Sequence, residues 1–384
     1  MLSPPADTVR LALRHPTGTT PVLVGEDALA AALPDLQSWA SGRTVFVVTT
    51  PRVLGLHGEC LDSLAEAAAR WVVLEVEEGE GAKTVAWAER LWNAMLAAGG
   101  KRDSRVVAFG GGSVGDLAGF AAGCFLRGVG FVQIPTTLLA QVDAAVGGKT
   151  AVDLPGGKNT VGLFYHPAMV VCDTRVLPTL PREELRSGLV EVVKMAALLD
   201  PELFERVEMR LGGLLDGDPA ALGPVVAGAV AAKIDVVERD PGEAGDRRLL
   251  NFGHTLGHAI ESAGSYSGLR HGEAVAYGIL FALRLALRRG LDRETAERIA
   301  SLLGRLGLPP LPPLDPGELI AHMARDKKAR ESGLVWVLPR ALGEGWMAEG
   351  IPWEEVRREV EGFLPDPFRL PDGRNFHEGP ANRL

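Results

Sequence analysis

The chain has 384 residues, 46% of them hydrophobic and 23% charged, with a formal net charge of -9. That is enough chain for two domains with substantial cores, in a composition ordinary for a globular protein. The acidic balance argues against a general nucleic-acid binder, which needs a basic face, but leaves room for a small anionic ligand held by a local Lys/Arg cluster.

In chain order, 44–49 is a β-branched run read as a buried strand, 60–70 is Ala- and Leu-rich with helical spacing, and 71–76 is a second strand. A helix over 84–98 and strands over 105–109 and 131–135 continue the alternation. This βαβ order predicts an α/β domain over 1–180 with a mainly parallel sheet covered by helices. From about Pro181 the chain changes to Ala/Leu/Val/Glu/Arg segments with few strand signals. Helices are predicted over 183–199, 219–238, 256–263, 271–289 and 293–306, so 181–364 reads as an all-α domain, with 309–316 a proline-rich connector. The last stretch, 365–384, is rich in Pro, Gly, Asn and Arg and reads as a loosely ordered tail.

Met1-Leu2-Ser3-Pro4-Pro5-Ala6-Asp7 lacks the layout of a secretory signal, and Arg, Asp or Gly breaks every apolar run before it reaches bilayer length. Cys60, Cys124 and Cys172 form no CxxC pair and read as reduced thiols of a cytoplasmic protein.

After the 105–109 strand comes Gly110-Gly111-Gly112-Ser113-Val114-Gly115-Asp116-Leu117-Ala118-Gly119. A strand entering a glycine-rich turn and then a helix lets backbone N–H groups approach a diphosphate, although tight helix–sheet packing is an equal reading of the turn alone. Gly110, Gly112 and Gly115 match G-x-G-x-x-G, yet the turn follows two earlier strand units and no acidic residue stands about 20 positions on, so the common Rossmann fingerprint is not met. Gly-Gly-Gly-Ser-x-x-Asp points to a different dinucleotide fold. Downstream, Gly147-Gly148-Lys149-Thr150 and Gly156-Gly157-Lys158-Asn159 place two lysines beside permissive backbone, a way to hold phosphate oxygens.

The second half carries Asn251-Phe252-Gly253-His254-Thr255-Leu256-Gly257-His258-Ala259-Ile260-Glu261 and then His271-Gly272-Glu273. His254 and His258 share one helical face, and imidazole suits zinc and related metals. Thr255 stands where a His-Glu-x-x-His protease has its glutamate, so peptide hydrolysis is not expected. Glu191 and Lys194 lie one turn apart among Val, Leu and Ala, either as a plain salt bridge or with the carboxylate as a further ligand.

Taken in order, Gly110–Gly119, Pro135–Thr150, Gly156–Gly162, Glu191–Lys194, Asn251–Glu261 and His271–Glu273 resemble the 3-dehydroquinate synthases across nearly the whole chain. The wider superfamily of iron-type alcohol and glycerol dehydrogenases shares the glycine turn and the two-domain architecture. The resemblance implies NAD and one divalent metal, zinc or alternatively cobalt, with Glu191, His254 and His271 as ligands. It implies that His258 stays off the metal and relays protons, acting with Lys149, Lys194, Arg247 and Asn251. Around NAD it implies Glu78, Lys83, Gly112, Ser113, Val114, Gly115, Asp116, Thr136, Thr137, Asp143, Lys149, Lys158, Val176, Leu177, Pro178 and Thr179. Around the substrate it implies Arg127, Asp143, Lys149, Asn159, Lys194, Lys233, Arg247, Asn251, His258, His271 and Lys328 or its neighbour Lys327. The implied substrate, 3-deoxy-D-arabino-heptulosonate 7-phosphate, bears a carboxylate and a phosphate, and the implied route to 3-dehydroquinate is transient oxidation, phosphate elimination, re-reduction and aldol closure. A homodimer is the implied assembly, with neither nucleic acid nor membrane as partner.

Two positions depart from the family pattern. Ser113 replaces a small apolar residue, and Thr49-Thr50-Pro51-Arg52 lacks the Asp or Asn often placed there for the adenosine ribose. Competing readings are another sugar-phosphate cyclase, which handles a neutral sugar phosphate and has less use for Lys233, Arg247 and Asn251, and a glycerol-type dehydrogenase, whose metal set opens with Asp. A non-enzymatic binding module leaves the metal set, the glycine turn and the cation cluster unexplained together.

Overall fold

A computed structural model of the chain describes residues 8–263, 268–328, 334–370 and 374, with backbone only for 325–328. The chain divides into two compact units, Met1–Pro181 with Asp216–Pro241, and Arg182–Leu215 with Gly242–Leu384.

The first unit is built on a seven-stranded sheet. Its strands are β1 (Val9–His15), β2 (Gly18–Gly25), β3 (Thr44–Thr49), β4 (Arg70–Glu75), β5 (Arg105–Gly110), β6 (Gly130–Pro135) and, after a separate hairpin of β7 (Lys149–Leu154) and β8 (Gly157–Phe164), β9 (Val170–Asp173). The order is β1-β2-β9-β6-β5-β3-β4; every neighbouring pair is parallel except β1 and β2. Side chains alternate across the pleat, so Phe46, Val48, Val106 and Ala108 enter one core while Val45, Val47, Val107 and Phe109 enter the other. Both faces being covered is why these strands read as continuous apolar runs. The covering helices are α1 (Ala28–Ala40), α2 (Pro51–His57), α3 (Asp62–Ala67), α4 (Val85–Ala97) and α5 (Gly112–Cys124). Thr84 caps α4 by accepting from Trp87 N at 3.2 Å.

The second unit contains α6 (Arg182–Leu199) and α7 (Pro201–Leu215). The chain then returns to the sheet unit as α8 (Pro219–Arg239) before completing the helical unit with α9 (His254–Ala263), α10 (His271–Leu287), α11 (Arg293–Arg305), α12 (Pro316–Lys328), the antiparallel hairpin of β10 (Trp336–Ala341) and β11 (Glu344–Ala348), and α13 (Trp353–Phe363). α10 is buried from Gly272 to Ala286 and forms the centre of this unit.

Several expectations are corrected. The helix expected over 60–70 shrinks to Asp62–Ala67 after a 3₁₀ turn at Gly58–Leu61, because Arg70 already starts β4. The helix expected over 219–238 forms, but it packs against β1 and β2 of the sheet unit and does not join the helical one. It is also long and apolar enough by composition to cross a membrane, contrary to the expectation from the apolar runs; just over half of its most apolar 18-residue window is buried inside the protein, as in a core helix. The two Gly-Gly-Lys stretches belong to a single antiparallel hairpin: Gly147 and Gly148 (φ 110° and 70°) lead into β7, and Gly156-Gly157-Lys158 carries the chain from the turn into β8. The all-α character expected after Pro181 is broken by β10 and β11, which pair there. Residues 365–370, read as the start of a loose tail, pack instead: Leu370 is buried and the Arg369 carbonyl accepts from Arg284. The remaining tail, apart from Arg374, lies outside the described residues.

Candidate functional site

In the sheet unit the glycine turn leaves the carboxyl end of β5 and opens α5. Strand order reverses beside this point, since β3 and β4 lie on one side of β5 and β6 and β9 on the other, the position where open α/β sheets bind ligands. Two of its glycines are also needed for packing. A Cβ on Gly110 would stand 2.8 Å from Val114 Cβ, and one on Gly115 would stand 2.5 Å from Gln133 Oε1. Gly112 is freer, since its Cβ would meet only Ala144 Cβ at 3.3 Å and Leu139 Cδ2 at 3.9 Å. Val114 is buried behind the turn.

Around this turn the structure gathers charge. Lys83, buried, places Nζ 2.6 Å from Asp116 Oδ2 and also donates to Asn159 Oδ1. Burial alone would lower the Lys83 ammonium, but the carboxylates of Asp116 and Glu80 more than offset it and raise its pKa. Burial pushes the Asp116 carboxyl up to about 6 against the pull of Lys83. Ser113 Oγ donates to Glu80 Oε1 at 2.9 Å, which gives that departure from the family pattern a local role. Thr50 likewise acts as a cap, accepting from Val53 N at 3.3 Å to start α2.

Thr136 N donates to Gly110 O at 2.9 Å and Thr137 Oγ1 accepts from Ala140 N at 3.2 Å, so the loop after β6 is tied to the glycine turn and to the next segment. That segment, Ala140–Ala144, is a π-helical turn, a geometry often found at functional sites. It carries Asp143, whose carboxylate and carbonyl both meet Lys233 Nζ of α8. Gln141, fully buried in the same turn, donates to Pro135 O at 3.1 Å and Asp173 O at 2.9 Å, bridging the ends of β6 and β9. Val176, Leu177, Pro178 and Thr179 lie in the 3₁₀ turn Thr174–Thr179; Thr179 Oγ1 donates to Val176 O at 2.7 Å. Glu78, Lys149, Lys158 and Arg127 are exposed, and Arg127 has a left-handed backbone (φ 72°).

In the helical unit Glu191 sits on α6, His254 and His258 on α9, and His271 at the start of α10. The ligand-capable nitrogens of the three histidines lie within 4.8 Å of one another. Glu191 is fully buried and, among the described residues, neither carboxylate oxygen accepts a hydrogen bond, although Lys194 Nζ lies against Oε2 as an ion pair. Oε1 is 3.7 Å from His271 Nε2. Two ligands of one tetrahedral ion about 2.1 Å from each are separated by roughly 3.4 Å, so this pair is spaced to share one. A buried carboxylate oxygen that accepts no hydrogen bond and faces one imidazole of a three-histidine cluster is what a divalent cation would complete. His254 is lowered well below its ordinary pKa by burial first and then by Lys194, which keeps its imidazole neutral. Burial works to lower His271 as well, but its contacts with Glu261 and Glu191 outweigh that and raise it.

Glycine makes this approach of helices possible, a signal the motif reading missed. A Cβ on Gly272 would strike Ser187 O of α6, and one on Gly278 would strike Gly253 O at the entry to α9. On Gly257 a Cβ would stand 3.1 Å from Val275 Cα of α10. Glu261 and Ser187 were missed too; Ser187 Oγ accepts from Gly272 N at 3.0 Å and holds the start of α10 on α6. Arg248, Asn251, His254, Thr255, His258, Val335 and Val337 line one cleft. Arg247, expected to contact substrate, is itself buried, whereas its neighbour Arg248 reaches the cleft. Lys194 and Lys233 are buried in their ion pairs. The side chains of Lys327 and Lys328 lie outside the described residues.

This architecture is that of the sugar-phosphate cyclases and the iron-containing alcohol dehydrogenases. A 2-deoxy-scyllo-inosose synthase complexed with carbaglucose-6-phosphate, NAD+ and Co2+ superposes with a TM-score of 0.84 at 26% identity, over 92% of this chain and 100% of that one. A 2-epi-5-epi-valiolone synthase from Streptomyces hygroscopicus with NAD+ and Zn2+ bound gives 0.83 at 30% identity, over 93% and 98%. An iron-containing alcohol dehydrogenase shares the fold at a TM-score of 0.67 and 17% identity, over 90% of this chain and 98% of that one.

Sequence narrows the class. Family models described as 3-dehydroquinate synthase N-terminal and C-terminal match residues 73–187 and 188–329. The 3-dehydroquinate synthase of Pelobacter propionicus is 45% identical over 80% of this chain and 87% of its own, and that of Methylococcus capsulatus 43% identical over 89% and 96%. The chain belongs to the 3-dehydroquinate synthase family.

Proposed function

We propose that the chain is a 3-dehydroquinate synthase, a phosphorus–oxygen lyase that converts 3-deoxy-D-arabino-heptulosonate 7-phosphate to 3-dehydroquinate and phosphate in the shikimate pathway to aromatic amino acids. The observation that carries this reading is the buried Glu191 carboxylate, without hydrogen bonds from the described residues and 3.7 Å from His271 of a three-histidine cluster, in a chain of this family. Bound NAD supplies a transient oxidant that is regenerated, and a bound zinc or cobalt ion supplies Lewis acidity.

Glu191, His254 and His271 are the residues that would hold the ion, and His258, the exposed member of the cluster, is left to move protons. Geometry alone would also accept His258 as a ligand; the buried Glu191 carboxylate, whose Oε1 faces His271 and accepts no hydrogen bond from the described residues, favours the carboxylate. The imidazole of His258 takes the proton of the substrate hydroxyl and returns it after re-reduction, a two-way transfer for which an imidazole is suited. Lys149, Lys194, Arg247, Asn251, Lys233, Arg127, Asn159 and Lys328 supply the cations and amides that a carboxylated sugar phosphate requires. The glycine turn, with Lys83, Ser113 and Asp116, and the loops at 136–137 and 176–179 are assigned to NAD. We read the protein as a cytoplasmic homodimer.

The test is to incubate the zinc-loaded protein with catalytic NAD and the heptulosonate phosphate. Stoichiometric phosphate and dehydroquinate without net NADH are expected. No phosphate release, or steady NADH accumulation from a polyol, would overturn the proposal.

A further inference from the structure

The two histidines proposed as ligands are held from behind by different groups. His254 Nδ1 lies 3.2 Å from the Phe252 carbonyl oxygen, which can only accept, so the proton belongs on Nδ1 and the lone pair on Nε2. His271 Nδ1 lies instead 3.2 Å from Glu261 Oε2, while its Nε2 faces Glu191 Oε1. Glu261 is seven residues after His254 on α9, on the same helical face, and its side chain is 8% exposed. A nearly buried carboxylate costs free energy unless something in its surroundings uses the charge.

We propose that Glu261 is a positioning residue for the metal: its carboxylate accepts the Nδ1–H of His271, locks the tautomer that turns the Nε2 lone pair toward Glu191, and makes that imidazole a stronger donor. An anionic partner polarises the N–H more than a carbonyl does, so His271 becomes the more basic of the two imidazole ligands, and α9 contributes to the ion twice, directly through His254 and indirectly through Glu261. The inference rests on the reading of Glu191, His254 and His271 as ligands.

The experiment uses the full chain stripped of metal and titrated with zinc alone against a chromophoric chelator, then with cobalt(II) to record its visible absorption. Glu261→Gln is nearly isosteric and keeps an acceptor while removing the charge. It is expected to bind zinc roughly 10- to 100-fold more weakly than the wild type, with a shifted cobalt(II) spectrum and an unchanged Tm for the metal-free protein. Zinc affinity within twofold of the wild type with the same cobalt(II) spectrum would overturn the proposal, and so would a lowered metal-free Tm with affinity unchanged, which is what a purely structural role gives. Glu261→Ala, read the same way, is expected to lose at least as much affinity. Wild-type protein that takes up no zinc would overturn the ligand assignment itself, a failure separate from that of Glu261 alone.

Discussion

In the sheet unit the candidate nucleotide residues come from contiguous pieces of chain. Gly112 to Asp116 open one helix directly after a single strand, and Thr136 to Asp143 follow another strand end. In the helical unit Glu191, His254 and His271 are on three helices and meet because Gly272, Gly253, Gly257 and Gly278 let those helices touch. A diphosphate can be held by backbone N–H groups of one local turn. An ion demands side chains converging from several directions at about 2 Å, which one helix cannot supply. The first kind of site is therefore local in sequence, the second a product of packing.

The strongest way to probe the second kind is to separate its parts. Glu191→Gln is expected to lose zinc affinity by about 100-fold or more, measured by chelator competition, while His258→Ala should retain zinc and lose on the order of 10²- to 10⁴-fold in kcat. Equal zinc loss in the two would erase the division between ligand and relay. Next in size, Gly278→Ala drives a methyl into the Gly253 carbonyl and is expected to cost about 3 kcal/mol in chemical unfolding, with loss of zinc. Gly112→Ala in the glycine turn meets only Ala144 and Leu139 and should cost about 1 kcal/mol or less. If both cost the same, the contrast between a glycine at a helix crossing and a glycine at the open start of a helix fails.

A smaller effect is a matter of pH. The Asp116 carboxyl, raised by burial to about 6, favours the folded state in its protonated form. Its contribution is therefore present below the ordinary carboxyl value and lost as pH rises through about 6. The Tm of Asp116→Asn, compared with the wild type, should shift in favour of Asn between pH 4 and pH 7; a difference that stays flat would refute the assignment. Smallest is Ser113→Ala, which removes one hydrogen bond to Glu80 and should cost about 1 kcal/mol, with only a small change in NAD affinity by calorimetry.

The sheet strands β3, β5 and β6 are legible within a residue or so because parallel strands covered on both faces must be apolar throughout, and the edge strand β4 because its run is rich in Val and Trp even though none of it is fully buried. The hairpin of β10 and β11 was not, because Trp336-Val337-Leu338-Pro339-Arg340 carries no clean alternation and follows a long helical region. The return of α8 to the sheet unit was hidden for a different reason. Its composition is that of any buried helix, and only the tertiary fold shows that its Lys233 meets Asp143.

At the site, the sequence by itself determined the chemistry available: three imidazoles, a carboxylate among apolar neighbours, a glycine turn after a strand, and lysines beside permissive backbone. Those are properties of residue type and local spacing, which survive without knowledge of the fold. Tertiary structure alone decided which atoms meet. It left Glu191 without hydrogen bonds beside His271, set Glu261 behind that histidine, buried Arg247 while bringing Arg248 to the cleft, and turned several glycines into contact points between helices. Such choices depend on distances between segments far apart in the chain, and only packing sets those distances.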